Sequence, residues 1–344
     1  MNKFEIDSDC ADRLIREQRS VWALLDKNCQ ALERVETRIV FVEGVPVTLQ
    51  FNPERIRSAA AVVDRQSIQN RKCFLCEENR PAEQVGITVA GKYVMLANPY
   101  PIFPKHLTIP SVIHTPQTIC GRLNDMLDLA RAIDRYIVFY NGPRCGASAP
   151  DHMHFQAGNK GFVPLEYLWS DIYREQGEAV YRGGNILLGR LERWPQSVFF
   201  VESGQMDRIA EAFDLLLRLL PVLNGDTEPM MNILCTYEAP VWRLWILPRR
   251  THRPTQYYEE GDKQRLISPG AIDLSGVVPL PRKSDFERFT KEEIVDLCTL
   301  PNHGLLANEW MGAGVSGESP ADMRVDDGMA MVFDSDVLEK EVEI

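Results

Sequence analysis

The residues best suited to chemistry stand together in His152-Met153-His154-Phe155-Gln156. Side chains two apart on a strand share a face, roughly 6 to 7 Å from one another. His152, His154 and Gln156 are therefore expected to form one polar row, with Met153 and Phe155 facing a core. The solvated side of an edge strand would give the same pattern. Against that reading, two of the six histidines in the chain fall in this row. The segment before it, Asn141 to Asp151, carries Gly142, Gly146 and Ser148, and such a loop can offer backbone N–H groups and a hydroxyl to a phosphate. A neutral imidazole is nucleophilic near neutral pH, and a covalent phosphoramidate divides one displacement into two easier ones. An amide two residues further on can hydrogen-bond a phosphoryl oxygen yet cannot serve as acid or base.

Eight cysteines stand at positions 10, 29, 73, 76, 120, 145, 235 and 298, and only Cys73 and Cys76 have metal-ligand spacing. Their scatter through a large chain favours reduced thiols. By itself the Cys73-Phe74-Leu75-Cys76 motif leaves zinc, redox chemistry and simple packing all open.

In its loop context, the His152, His154, Gln156 row resembles the signature of the transferase branch of the histidine-triad superfamily. That branch includes galactose-1-phosphate uridylyltransferase, diadenosine tetraphosphate phosphorylase and the GDP-hexose phosphorylases. The segment Asn98-Pro99-Tyr100-Pro101-Ile102-Phe103-Pro104-Lys105-His106-Leu107-Thr108-Ile109-Pro110 is similar to the strand turn that holds the nucleoside in these enzymes. Motifs that match span about residues 73–166, and more weakly 230–290.

The resemblance implies that His154 attacks the α-phosphorus of a nucleotide and that Gln156 replaces the last histidine of the hydrolase branch. It also implies that Ser148 and the loop N–H groups stabilise phosphate oxygens, and that Asn98 and Asn141 contact ribose and phosphate. Arg144 and Lys160 are candidate partners for a polyphosphate, although isolated basic residues often only solvate a surface. The uridylyltransferase resemblance further implies a structural zinc site on Cys73, Cys76, His114 and His152, a closed two-cysteine, two-histidine set. The alternative is two packed cysteines beside hydrogen-bonded histidines.

The expected activity is nucleotidyl transfer, of a phosphorylase or adenylyltransferase type. An NMP group would move from a dinucleoside polyphosphate or NDP-sugar to inorganic phosphate or a sugar phosphate. A hydrolase using water, and a catalytically silent nucleotide-binding protein, are the alternatives.

The elements that must position these residues can be read from periodicity. Apolar positions at helical spacing in 11–32 predict one or two amphipathic helices. A hairpin is expected to turn at Gly44. Strands are expected at 93–97, 106–109, 137–140 and 152–156, with a helix over about 121–136. The order strand, helix, strand, strand returns in 198–201, 205–220, 231–236 and 242–247, which predicts an internal duplication whose second copy lacks a histidine pair. The expected fold is α+β, with two histidine-triad-like halves, each a mainly antiparallel sheet with packed helices. The expected organisation is an active N-terminal half over 1–175, a degenerate half over 176–308 and an acidic peripheral extension over 309–344.

Hydrophobic residues at 44% and charged residues at 25% are those of a folded globular chain. The net charge of -11 argues against nucleic-acid binding by broad phosphate neutralisation, so any bound anion must meet a local cluster of donors. No apolar run reaches the length of a membrane span. With no basic-then-apolar leader at the N-terminus, the expectation is a cytoplasmic protein.

Overall fold

The N-terminal periodicity forms two helices, α1 (Ser8–Val21) and α2 (Ala23–Leu32), which meet at the extended residue Trp22. Asp7 caps α1 by accepting the Cys10 N–H, and the helix buries Ala11, Leu14 and Ile15. The computed structural model describes residues 5–56, 65–222 and 225–297. The expected extension over 309–344 lies outside them, as do Cys298 and His303.

The hairpin is β1 (Glu36–Val42) and β2 (Val45–Phe51), turning through Glu43 and Gly44, both at positive φ. Then come β3 (Ile87–Val89), β4 (Tyr93–Ala97), β5 (His106–Pro110), α3 (Leu123–Ala132), β6 (Tyr136–Asn141) and β7 (His154–Asn159). The later part of the chain supplies β8 (Gly177–Gly183), β9 (Ile186–Leu191), β10 (Val198–Ser203), α4 (Met206–Leu219), β11 (Met231–Glu238) and β12 (Val241–Pro248). A short helix α5 (Ala271–Leu274) and β13 (Val277–Leu280) follow, and two more short helices, Lys283–Arg288 and Lys291–Val295, come after them.

Ten strands form one sheet in the order β3-β4-β5-β7-β6-β11-β12-β10-β9-β8. All of its named pairings are antiparallel. Outward from the central β6 and β11 pair, the two directions repeat the same plan. Each has a strand-helix-strand-strand unit whose last strand lies between the other two, extended by the strands that precede it. The predicted α+β class with its mainly antiparallel sheet is therefore present, and the two halves share a continuous sheet.

Both faces of the sheet centre are covered, which explains why β12 is buried along its whole length and shows no alternation. α3 packs over β6, β11 and β12, and α4 over β9 and β10. Against the other face, Leu234, Trp245 and Leu247 join one apolar cluster with Val45, Val47 and Leu49 of β2 and with Val277 and Val278 of β13. Each such side chain contributes about 1.5–3 kcal/mol on full burial. β13 pairs in parallel with β2. This pairing returns residues 277–280 to the N-terminal hairpin, and residues 269–271 lie against the Asn141 to Asp151 loop.

Two boundaries differ from the periodicity reading. The helix is shorter, Leu123–Ala132, because Gly121 lies at φ +71 and Ile133 leaves helical geometry. The strand expected at 152–156 begins at His154, because the backbone before it bonds elsewhere: His152 N–H to Ala149 O and Met153 N–H to Thr115 O.

Candidate active site

His154 is the first residue of β7 and is almost wholly buried, yet it lines a cleft of about 510 Å³. Gln117 holds its backbone. The His154 N–H donates to Gln117 Oε1 at 2.8 Å, and Gln117 Nε2 donates to His154 O at 3.0 Å and to Asn141 O at 2.9 Å. A buried side-chain amide thus substitutes for a neighbouring strand where β7 starts.

The imidazole is oriented by its own chain. His154 Nδ1 lies 2.8 Å from His152 O, and a carbonyl can only accept, so Nδ1 carries the proton and Nε2 keeps its lone pair. Burial pushes the His154 pKa down to about 4, so the ring is neutral near pH 7.

Gln156, two residues along β7, lines the same cleft. Ser148, Asn141 and Asn98 line it as well. Asn141 Oδ1 accepts from Asn232 Nδ2 at 2.7 Å and from Ala271 N–H at 2.8 Å, which leaves its Nδ2 to donate. Asn98 shapes the turn after β4 by accepting the Tyr100 N–H and donating to Thr108 Oγ1, both at 2.9 Å.

His152 departs from the expected polar row. It precedes the strand and is not among the residues lining the cleft; its ring belongs to a separate cluster. Its Nε2 donates to Ser111 O at 2.8 Å, so the unprotonated Nδ1 faces Cys73 Sγ at 3.3 Å and Cys76 Sγ at 3.5 Å. His114 Nδ1 lies 3.1 Å from Cys76 Sγ. All four ligand atoms fall within 4.8 Å of one another, so the cluster could hold a metal ion. Spacings of this size suit two sulfurs and two nitrogens around one small cation. Burial and the neighbouring Cys73 push the Cys76 thiol up to about 11, a cost that a bound cation would remove by stabilising the thiolates.

Arg144 and Lys160 are placed elsewhere. Arg144 pairs with Asp226, and Lys160 donates to Tyr237 O at 2.8 Å beside Glu238. Neither lines the cleft. Among the described residues, the positive charge there comes from Arg55 and Arg71. Arg71 donates to Asp151 Oδ1 at 2.6 Å and to Ser148 O at 3.4 Å, while its buried Nη1 has no hydrogen-bond partner among the described residues. Asp273 also lines the cleft, its carboxyl raised to about 6 by burial and accepting the Gly270 N–H.

Sequence reasoning missed Arg55, Arg71, Gln117 and Asp273, since each stands alone among unremarkable neighbours. The one available signal was the requirement that an acidic chain supply a local donor cluster for any anion. Arg249 is buried and bonds Asn232 Oδ1, Pro269 O, Thr251 O and His252 O. It thereby holds the segment that closes the cleft.

Residues 14–159 match a sequence family described as "Domain of unknown function (DUF4922)". The chain is 27% identical over 282 residues to galactose-1-phosphate uridylyltransferase of Bacillus subtilis (strain 168), covering 72% of this chain and 53% of that protein. It therefore spans about half the length of that curated relative. The fold is similar to that of yeast Ap4A phosphorylase Apa2, with a TM-score of 0.56 at 16% identity, over 84% of this chain and 98% of that one. The same enzyme in complex with AMP gives a TM-score of 0.56 at 18% identity, over 86% and 97% of the two chains. The resemblance to the transferase branch of the histidine-triad superfamily thus holds both in sequence and in fold.

Proposed function

We propose that this chain is a nucleotidyltransferase that passes an NMP group from a nucleoside polyphosphate derivative to a phosphate acceptor through a covalent bond to His154 Nε2. The observation that carries the reading is the Nδ1 contact to His152 O, which turns the lone pair of a neutral imidazole toward the cleft that Gln156, Ser148 and Asn141 also line.

In the first step the Nε2 lone pair forms a bond to the α-phosphorus, and the bond to the bridging oxygen breaks. The electron pair leaves on the departing nucleoside polyphosphate or sugar phosphate. The modified ring is then an imidazolium that keeps its Nδ1 proton and still donates it to His152 O, so no base is needed to activate the nucleophile. Gln156, Asn141 and Ser148 are the donors for the oxygens on which charge builds, and Arg55 and Arg71 offset the charge of the phosphates. In the second step an oxygen of inorganic phosphate or a sugar phosphate attacks, and the P–N bond breaks. Because an amide cannot take a proton from water, Gln156 favours an acceptor that is already an anion.

The relatives support both sides of this scheme, one being a uridylyltransferase and another a phosphorylase solved with AMP and with Ap4A. The donor is a dinucleoside polyphosphate or an NDP-sugar. In this reading zinc sits on Cys73, Cys76, His114 and His152 and has a structural role. It would tie the Cys73 to Cys76 segment to the backbone whose carbonyl accepts the His154 Nδ1–H bond. Reduced thiols at that site accord with a cytoplasmic protein. Among the described residues, no helix is long and apolar enough to cross a membrane.

The test is intact mass spectrometry after mixing the protein with a panel of NDP-sugars and dinucleoside polyphosphates. A mass increase equal to one NMP with at least one donor is expected, discharged by phosphate or a sugar phosphate. Binding of panel members with no adduct from any of them would overturn the reading.

A further inference from the structure

Behind Gln156, away from the reacting position, a second histidine is wholly enclosed. His106 opens β5 and is buried with its ring edge-on to Phe103 at 5.4 Å between centroids. Its two nitrogens have different partners. The backbone N–H of Ile102 points at Nδ1 from 3.1 Å, and Nε2 lies 3.0 Å from Gln156 Oε1.

The backbone N–H settles the protons in turn. It can only donate, so Nδ1 must be the acceptor and carries no hydrogen. A ring with a bare Nδ1 carries its proton on Nε2, and that N–H requires an acceptor on Gln156. The oxygen of the Gln156 amide is thereby drawn back into the protein, and the NH2 group is turned toward the cleft. With the amide reversed, an N–H would meet an N–H behind it, and a carbonyl oxygen would face the substrate's negatively charged oxygens.

We infer that His106 is a positioning residue that fixes the Gln156 amide with its donor end toward the transferred phosphoryl group. The inference rests on the nucleotidyl-transfer reading, which gives the donor end its purpose. The chain of contacts from Ile102 N–H through His106 to Gln156 exists independently of it. His106 does not touch substrate. Its effect passes through Gln156, in the way that a metal ligand or catalytic base is oriented by the group behind it.

Two measurements test this. In protein labelled with 15N-histidine, long-range nitrogen-proton correlations should show His106 as the Nε2–H tautomer and His154 as the Nδ1–H tautomer. The opposite tautomer at His106 would overturn the inference and leave the nucleotidyl-transfer reading untouched. The second is a cycle of His106→Leu, Gln156→Ala and the double variant, read as the single-turnover rate of NMP transfer to the protein. Loss of one oriented donor is expected to slow this step by about 100-fold. His106→Leu should be slow only while Gln156 is present, so that the double variant reacts at the rate of Gln156→Ala.

His106→Gln, which keeps a donor near the Nε2 position, should recover most of the rate. Nucleotide affinity should change by less than about threefold across the set. Equal, multiplicative losses in the single and double variants would show that His106 acts otherwise than through Gln156. A His106 tautomer as expected, in a wild-type protein that forms no adduct, would instead overturn the transfer reading.

Discussion

Gln117 and His154 are joined twice through the His154 backbone, by a 2.8 Å bond from its N–H and a 3.0 Å bond to its carbonyl. Thirty-seven residues separate them in sequence. β7 has no partner strand that satisfies both groups at its first residue, and the Gln117 amide does so in its place. The same amide reaches Asn141 O, so one side chain fixes His154 and the start of the Asn141 to Asp151 loop together.

Replacing Gln117 by alanine therefore leaves several buried backbone groups unsatisfied, at about 1–3 kcal/mol each before relaxation. Gln117→Ala should lower the unfolding free energy by about 2–4 kcal/mol in urea titration. It should slow adduct formation more than it weakens nucleotide binding. A variant as stable as wild type would show that the contacts contribute nothing net.

Acid should destabilise the fold through its buried neutral histidines. Burial, aided by the nearby Arg55 charge, pushes His106 down to about 3, and burial pushes His252 down to about 4. Both lie below the unfolded value of about 6.5. The unfolded chain thus takes up these protons first, so the stabilisation is present above about pH 6.5 and is lost as pH falls toward the folded values. Each such proton contributes a slope of about 1.4 kcal/mol per pH unit. His106→Gln should reduce the slope of unfolding free energy against pH by up to that amount between about pH 6 and 4. An unchanged slope would mean that His106 titrates normally.

Metal content and stability should be linked at the Cys73, Cys76, His114, His152 cluster. Purified protein is expected to hold one equivalent of zinc, and a strong chelator should lower the melting temperature. Cys76→Ser should lose most of the metal. Protein without metal that melts at the same temperature as metal-loaded protein would remove the structural role.

Gly146 has two reasons to be glycine. Its φ is +88, and a Cβ there would meet Pro269 O at 2.6 Å and Gly270 Cα at 2.7 Å. Gly146→Ala should cost about 1–3 kcal/mol and, by pushing the loop off residues 269–270, weaken nucleotide binding as measured by calorimetry. Full stability and affinity in this variant would show that the loop and the closing segment are not packed as described.

Local signals revealed much of this arrangement. The helical spacing of Leu14, Ile15, Leu25 and Leu32, and the short apolar runs around Tyr93 and Ile137, were sufficient to find α1, α2, β4 and β6, because one buried face or a closed core imposes a period. His154 and Gln156 were visible as a pair because strand geometry keeps residues two apart on one face. The same rule misplaced His152, whose side chain follows the cysteine cluster and not the strand. Arg55, Arg71, His106, Gln117 and Asp273 reach the site from separate elements, and Asp273 is brought there by the parallel pairing of β13 with β2 and by the bonds of Arg249 and Asn141 to residues 269 and 271. No spacing along the chain encodes such long-range closure. Arg144 and Lys160 show the converse error, since proximity in sequence to the motif did not bring them to the cleft.

The most direct test of the central claim is the position of the covalent bond. After incubation with a donor that reacts, the protein should be digested at neutral pH and the modified peptide sequenced by fragmentation. The NMP is predicted on His154, in a linkage that is lost in acid, and His154→Ala should form none. An adduct on any other residue, or one that persists in His154→Ala, would contradict the account.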